Sequence, residues 1–535
     1  MFWGENIVEK IQGRYKDKIA SKEAIIVRDE KTASGRVHVG SMRGVVIHGV
    51  VAELLQSQAI AVRYLYEIND FDPMDGLPVY LDKAIFLPYM GKPLCAIPSP
   101  DGKAANFAEY FAQEFIGVIK DAGFTPEYYR SSEVYKAGRY NEVIRLALEQ
   151  AGKIREIYKR VSGAVKPEDW LPLQVVCEQC GKIGTTKVTA FDGEKVAYIC
   201  KEDLVEWAKG CGYQGQISPF DGRAKLPWKV EWAAKFKVIG VDVEGCGKDH
   251  STRGGSRGIA DAIAREVFGY EPPIDIPYEF FLVGGKKMSS SKGAGSSSRE
   301  VADMLPTQLF RFLLISKDPK RVIDFIPDGD TFPLLYDLYD TFAESYFSQV
   351  NDDHARVFEL AHPQALQGRL VQHFLPRFSL IAFLVQMPHL DFLAEIEKLK
   401  GAPLTALDTE EALERAAYAK KWLAQYAPES YRYTLQYETV PEAAVTFSTA
   451  QKTALRMLLG YIESQETLDG QDLHAELHAI KEKTGISPKD FFSALYVSFL
   501  GKESGPKAGW FLSVLERSFL VSRLQAVVKE GTKNE

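Results

Sequence analysis

Gly35-Arg36-Val37-His38-Val39-Gly40-Ser41 sets a histidine and a hydroxyl among glycines just ahead of a helical run. Glycine lets the backbone pass close to a ligand where a Cβ would collide. A helix start offers free N–H groups and a positive dipole end to phosphate. His38 and Ser41 can each donate to a phosphate oxygen there, although His38 taken alone serves equally well as a capping histidine. About half the chain away, Lys287-Met288-Ser289-Ser290-Ser291-Lys292-Gly293 carries two ammonium groups, Lys287 and Lys292, on a Gly/Ser-rich run. Cations suit a reaction in which charge builds on phosphate oxygens, and neighbouring glycines let such a loop close; alone, the segment reads more readily as a flexible linker.

Between these segments stands Gly245-Cys246-Gly247-Lys248-Asp249-His250, followed by Gly254-Gly255-Ser256. An Asp at the end of a parallel strand is placed to take ribose hydroxyls, and Gly254 suits close backbone approach at a helix start. Cys177-Glu178-Gln179-Cys180 has the spacing of a zinc knuckle; Cys200 and Cys211 offer two more thiolates, and Gly181, Gly210 and Gly212 suit the turns. Four cysteines close a tetrahedron and leave no catalytic position, so one structural Zn2+ is expected; buried free thiols are the alternative. Cys95 and Cys246 read as packing residues.

The elements that must position these residues follow from periodicity. Residues 24–28 read as a buried strand, a helix starts near Gly40, and residues 62–68 form a second strand; this βαβ order implies a parallel sheet. Helices are expected over residues 103–122 and 139–160. Residues 175–222 are turn-rich with short strands around the cysteines. Strand-like runs return at 235–241 and 278–283, on either side of a helix over 256–268. From about residue 310 the period is helical to the end.

The chain has 535 residues, room for about three or four domains at ~150 residues each. Hydrophobic content of 46% and charged content of 26% are those of a globular protein. The net charge of −7 points to no bulk affinity for nucleic acid, though local patches such as Lys153, Arg155, Lys159, Arg160 and Lys166 remain, either as an RNA contact or as a solvated helix face. No basic region followed by an apolar run opens the sequence, and no stretch approaches ~20 apolar residues. A cytoplasmic, membrane-free protein is expected.

In this order and separation, the two phosphate-suited segments resemble the signatures of class I aminoacyl-tRNA synthetases. The chain most resembles the class I lysyl-tRNA synthetases, over residues 32–43, 225–232, 247–256, 278–293 and 495–510. The resemblance implies a Rossmann-type α/β catalytic core split by a zinc-binding insertion, followed by an all-α anticodon-binding domain. The expected divisions are residues 1–165 and 226–324 for the two halves of the core, 166–225 for the insertion and 325–535 for the helical domain. It implies L-lysine, ATP with Mg2+ and tRNA(Lys) as substrates of a ligase, in a monomer.

By the same resemblance His38, Lys287 and Lys292 are catalytic. ATP is held by Gly35, His38, Gly40, Ser41, Asp249, Gly254, Lys287, Met288, Ser289, Ser290 and Lys292. The amino acid is held by Asp29, Glu30, Thr32, Trp228, Trp232, His250 and Tyr278. A lysine pocket needs a carboxylate and apolar walls; Asp29, Glu30, Glu231 and Glu279 are the acids on offer. The chain departs from the family where Ser41 replaces a histidine, Ser290 a lysine, and Asp29-Glu30-Lys31 stands for Thr-Gly-Ile. Arg28, seven residues before Gly35, keeps a glutamyl-tRNA synthetase-like enzyme as an alternative, beside a tRNA-independent ATP-dependent ligase of the same fold and a non-catalytic RNA-binding paralogue.

Overall fold

The computed structural model describes residues 2–284, 297–362, 368–387 and 390–529. Lys287, Met288, Ser289, Ser290 and Lys292 lie outside these residues.

After two helices, Trp3–Arg14 and Lys16–Ala20, come three parallel strands: β1 (Ile25–Thr32), β2 (Val62–Asn69) and β3 (Glu127–Arg130), in the order β1-β2-β3. On the other side of β1 the sheet continues through single parallel bridges, Val27 to Val243 and Val243 to Ile274. Gly247 bridges Tyr278 in the same sense, and Phe281–Val283 pairs in parallel with Ile323–Phe325. The helix Met42–Ser57 links β1 to β2. It is apolar nearly all round, and Val45, Val46, Val50, Val51 and Leu54 are fully buried, as befits a helix covered on every side. The crossover is the βαβ unit that residue periodicity predicts, with β1 running four residues past the expected end.

The run at 235–241 is not a strand. It is the last part of the helix Trp228–Ile239, closed by Gly240 in the left-handed conformation at φ 77°. Val230, Ala233, Ala234 and Phe236 hold its inner face, and Lys235 is buried with them because it meets carboxylates there. The sheet position passes instead to Val243.

The cysteine-rich segment is an antiparallel sheet of Thr186–Phe191, Val196–Cys200 and Gln214–Ile217. Its inner side chains Val188, Val196 and Tyr198 share one hydrophobic core with Trp232, Phe236 and Ile259. The insertion is therefore buttressed by the core of the parallel-sheet unit rather than standing apart from it.

The chain forms two compact units, Met1–Ile326 with Thr341–Leu370, and Pro327–Asp340 with Val371–Glu535. Among its described residues the second unit is built of helices, from Phe378–Leu384 through Ala406–Gln425, Thr449–Ser464 and Pro488–Leu500 to Arg517–Lys529. Residues 341–370 belong with the first unit, not with the helical domain that begins near 325. No helix is long and apolar enough to cross a membrane among the described residues.

Candidate active site

A cavity of about 400 Å³ opens at the carboxyl ends of β1 and of the bridged segments beside it. Ligands of open parallel sheets bind in this position, because the strand ends and helix starts leave backbone groups unpaired there. From β1 it takes Asp29, Glu30, Lys31 and Thr32; from the first signature His38, Gly40 and Ser41. Trp228 and Trp232 form one wall, with Asp249, His250 and Tyr278 opposite the signature.

Gly40 has a specific reason to be glycine: a Cβ there would lie 2.8 Å from His38 Nδ1. The missing side chain leaves room for the imidazole over the turn. The segment that follows the Lys/Ser-rich signature returns to this turn, since Ser297 bridges His38 and Ser298 N–H donates to Val37 O at 2.8 Å. Gly284, just before that signature, is tied to Phe325 O. Both flanks are thus anchored beside the first unit's sheet, one of them directly on the first signature.

Two predicted residues do not line the cavity. Gly35 is buried behind the turn. Gly254 has φ +78° and faces Val161 O, 3.4 Å from where its Cβ would sit, so a tight turn within the chain requires it. Asp249 lies on the short helix Lys248–Ser251, just past the bridged Gly247. Cys246, expected only to pack, reaches the cavity with its thiol 2.9 Å from Ser251 Oγ.

Strand alternation divides β1 into two chemistries. Arg28, Glu30 and Thr32 face an ionic network. The Arg28 guanidinium is fully buried and spends four of its five N–H groups: on Glu244 at 2.5 Å, Glu67 at 2.7 Å, Tyr129 OH at 2.7 Å, and Glu30. Lys235 bonds Glu30 at 2.6 Å and Glu67 at 2.7 Å; Lys225 meets Asp72 at 3.0 Å and Glu231. Burial works against the Glu30 carboxylate, but Lys235 and Arg28 outweigh it and hold the group well below the usual carboxylate range. Glu231 is inside this network and does not reach the cavity. Glu279 does, and is paired with Lys248 at 2.6 Å.

Asp29 faces the other way, toward the helix Met42–Ser57. Its Oδ1 accepts Glu30 N–H at 2.8 Å, while its buried Oδ2 has no hydrogen bond, the nearest cationic candidate being His48 Nδ1 at 3.6 Å. His48 Nε2 accepts Gly245 N–H at 2.7 Å, and its Nδ1 lies 2.7 Å from Gly44 O. The acceptor role of Nε2 places the ring proton on Nδ1, which donates to Gly44 O and leaves Asp29 Oδ2 without a hydrogen bond. Gly44 makes this close fit possible, since a Cβ would come within 2.7 Å of Asp29 Oδ2 and 3.0 Å of Tyr278 OH. Burial raises the Tyr278 phenol far above its ordinary value, so it stays a hydroxyl. Trp228 and Trp232 stack at 6.0 Å with His250 edge-on to both, and Trp232 Nε1 donates to Glu244 at 2.5 Å.

Glu67, Glu244, Lys225 and Lys235 were not among the expected site residues. Their signal in sequence is a charge inside an otherwise apolar strand or helix, which pays its desolvation only with a partner.

The four cysteines converge: their sulfurs lie within 4.8 Å of one another, with Cys177–Cys211 and Cys180–Cys200 each at 3.7 Å. Sulfurs about 2.3 Å from a central ion at tetrahedral corners stand roughly 3.8 Å apart, so the set fits Zn2+ and is too wide for disulfides. Gly181 (φ +71°) turns the first knuckle, and Gly210 lets the second pass Lys201 O, 2.2 Å from a would-be Cβ. Of the basic patch, Lys153 and Arg160 pair with Glu266, Arg155 donates to Trp170 O, and Lys166 lies over the Tyr158 and Trp170 rings.

Residues 1–364 match the family described as tRNA synthetases class I (K), and residues 388–528 match the anticodon binding domain family. The chain belongs to the class I (K) tRNA synthetases. Similar relatives of this class I (K) synthetase include a lysine–tRNA ligase of Methanosarcina barkeri, 34% identical over 92% of this chain and 93% of that one. A lysine–tRNA ligase of Methanocaldococcus jannaschii is 30% identical over 98% and 99%. Among solved structures, a glutamate tRNA ligase from Elizabethkingia meningosepticum aligns with a TM-score of 0.42 and 12% identity, over 95% of this chain and 99% of that one. That likeness is too slight to bear on substrate.

Proposed function

We propose that the protein is a lysine–tRNA ligase that activates L-lysine with ATP and Mg2+ and transfers it to tRNA(Lys). The observation that carries the choice of lysine is the state of the acids. Glu30, Glu231, Glu244 and Glu279 each have a Lys or Arg partner, whereas Asp29 Oδ2 is buried without a hydrogen bond, faces only the His48 imidazole at 3.6 Å, and lies near the Tyr278 hydroxyl. An ammonium group satisfies that oxygen, and the Trp228–Trp232 wall covers the apolar stem. A glutamate side chain finds Arg28 already engaged by three carboxylates and a phenol.

In this reading Thr32, Glu30 and His250 shape the amino-acid end. His38, Gly40, Ser41 and the start of the helix Met42–Ser57 receive phosphate, Lys287 and Lys292 supply cations for its developing charge, and Asp249 takes ribose. Met288, Ser289 and Ser290 belong to the second signature, while Gly35 and Gly254 serve the chain's own turns away from the cavity. A lysine carboxylate oxygen attacks the α-phosphorus, the bond to the β-phosphate bridging oxygen breaks, and pyrophosphate leaves with Mg2+. The terminal ribose hydroxyl of tRNA then attacks the carbonyl carbon, releasing AMP and its own proton. Cys177, Cys180, Cys200 and Cys211 hold one Zn2+, which supplies a structural crosslink. Without a cation, burial pushes the Cys180 thiol up to about 12, so metal binding has to displace that proton.

Amino-acid-dependent exchange of pyrophosphate into ATP tests this reading. Exchange should be driven by lysine and not by glutamate; the reverse pattern would reassign the substrate.

A further inference from the structure

Lys31 has no place in the reaction just described, yet it lines the same cavity. Among the described residues, four cations near that cavity are committed: Arg28 and Lys235 to carboxylates, Lys248 to Glu279, and Arg257 to Asp261 and Asp275. Lys31 makes no ion pair or hydrogen bond of its side chain among the described residues. It stands two residues after Asp29 on β1, in register with Ile68 of β2. Side chains two apart on a strand share a face and are separated by roughly 6.6 Å along it. That is close to the length of an extended lysine molecule between its side-chain nitrogen and its carboxylate.

We propose that Lys31 holds the carboxylate of the amino-acid substrate, so that one face of β1 carries a matched pair of charges, Asp29 for the side-chain ammonium and Lys31 for the carboxylate. The substrate is then bound as an ion of opposite polarity laid along the strand. Its carboxylate is delivered to the end of β1 that leads into the phosphate-suited turn at His38 and Ser41. Burial lowers the Lys31 ammonium from its ordinary value, with Asp29 and Glu30 opposing, so the cation is desolvated in advance and an arriving anion relieves it. This inference rests on the lysine-activating reading above and assigns a residue within it.

The test compares L-lysine with lysinamide, in which a neutral amide replaces the carboxylate, by calorimetric titration of the wild-type chain, Lys31→Met and Lys31→Arg. Lys31→Met should weaken lysine binding about 10-fold or more and leave lysinamide within about 2-fold, with Lys31→Arg recovering part of the loss. An equal loss for both ligands would show that Lys31 only supports the pocket, and an unchanged lysine affinity would show that it does not touch the carboxylate; either overturns the assignment. Wild-type protein with no lysine-dependent exchange would instead overturn the lysine-activating reading, so the two failures are distinguishable.

Discussion

At the residue scale, the selectivity of the site follows from which charges are already spent. Arg28, Lys225 and Lys235 neutralise one another's carboxylates below the cavity floor, while Asp29 keeps a buried oxygen with no hydrogen bond, 3.6 Å from His48 Nδ1. Asp29→Asn keeps the size and removes the charge, so the KM for lysine should rise about 100-fold, the ~2–3 kcal/mol expected for a buried charged hydrogen bond. The KM for ATP should change little; an equal rise in both would place Asp29 in general support of the fold. Reading these roles from sequence was only half possible. Asp29 could be named as an acid in the right stretch, but so could Glu30, Glu231 and Glu279. What separates them is pairing with Lys235, Lys225 and Lys248, contacts set by tertiary packing and invisible to spacing.

At the scale of elements, β1 is the organising piece. Arg28, Glu30 and Thr32 enter the ionic network while Asp29 faces the helix Met42–Ser57, so the two faces of one strand carry differently partnered charge. The βαβ unit and the cysteine knuckles were readable because each follows a local rule: period 2 against 3.6, and two residues between Cys177 and Cys180. The helix Trp228–Ile239 was misread at its end because Lys235 and Lys237 alternate with Phe236 and Val238 as a strand would. A buried lysine at 235 makes sense only once Glu30 and Glu67 are beside it. The insertion gives the prediction that belongs here. Cys180→Ala should reduce bound zinc from about one per chain to near zero by elemental analysis. Because its core is continuous with that of the catalytic helices, the loss should destabilise the first unit by about 4 kcal/mol or more, read as a lowered melting temperature. Full zinc retention would contradict the four-cysteine site.

At the scale of the whole molecule, two compact units each carry their own buried charge cluster. In the helical unit Arg415 is buried against Asp340 at 2.6 Å and Glu411 at 2.6 Å, and His373 stands 3.5 Å from Glu411. Glu411 raises the proton affinity of His373 above the ordinary 6.5, against the opposing effect of burial. Burial works to raise Glu411 itself, but His373 and Arg415 bring it down to about 2. The signs give a window. His373 contributes stability that is complete below ~6.5 and is lost as pH rises through its raised folded value. Glu411 contributes above its unfolded value near ~4.3 and loses that contribution as pH falls toward its lowered one. The melting temperature of the helical unit should therefore decline from mildly acidic to mildly alkaline pH, and His373→Gln should flatten that decline. Lysine-dependent pyrophosphate exchange, a property of the first unit, should survive His373→Gln unchanged.

Charging of tRNA needs both units to serve one reaction, and attachment of labelled lysine to tRNA tests this most directly. With ATP, Mg2+ and tRNA carrying the lysine anticodon, the wild-type chain should place labelled lysine on the tRNA, with unlabelled lysine competing and glutamate not. Label transferred from glutamate, or lysine-dependent pyrophosphate exchange with no label reaching tRNA, would contradict it.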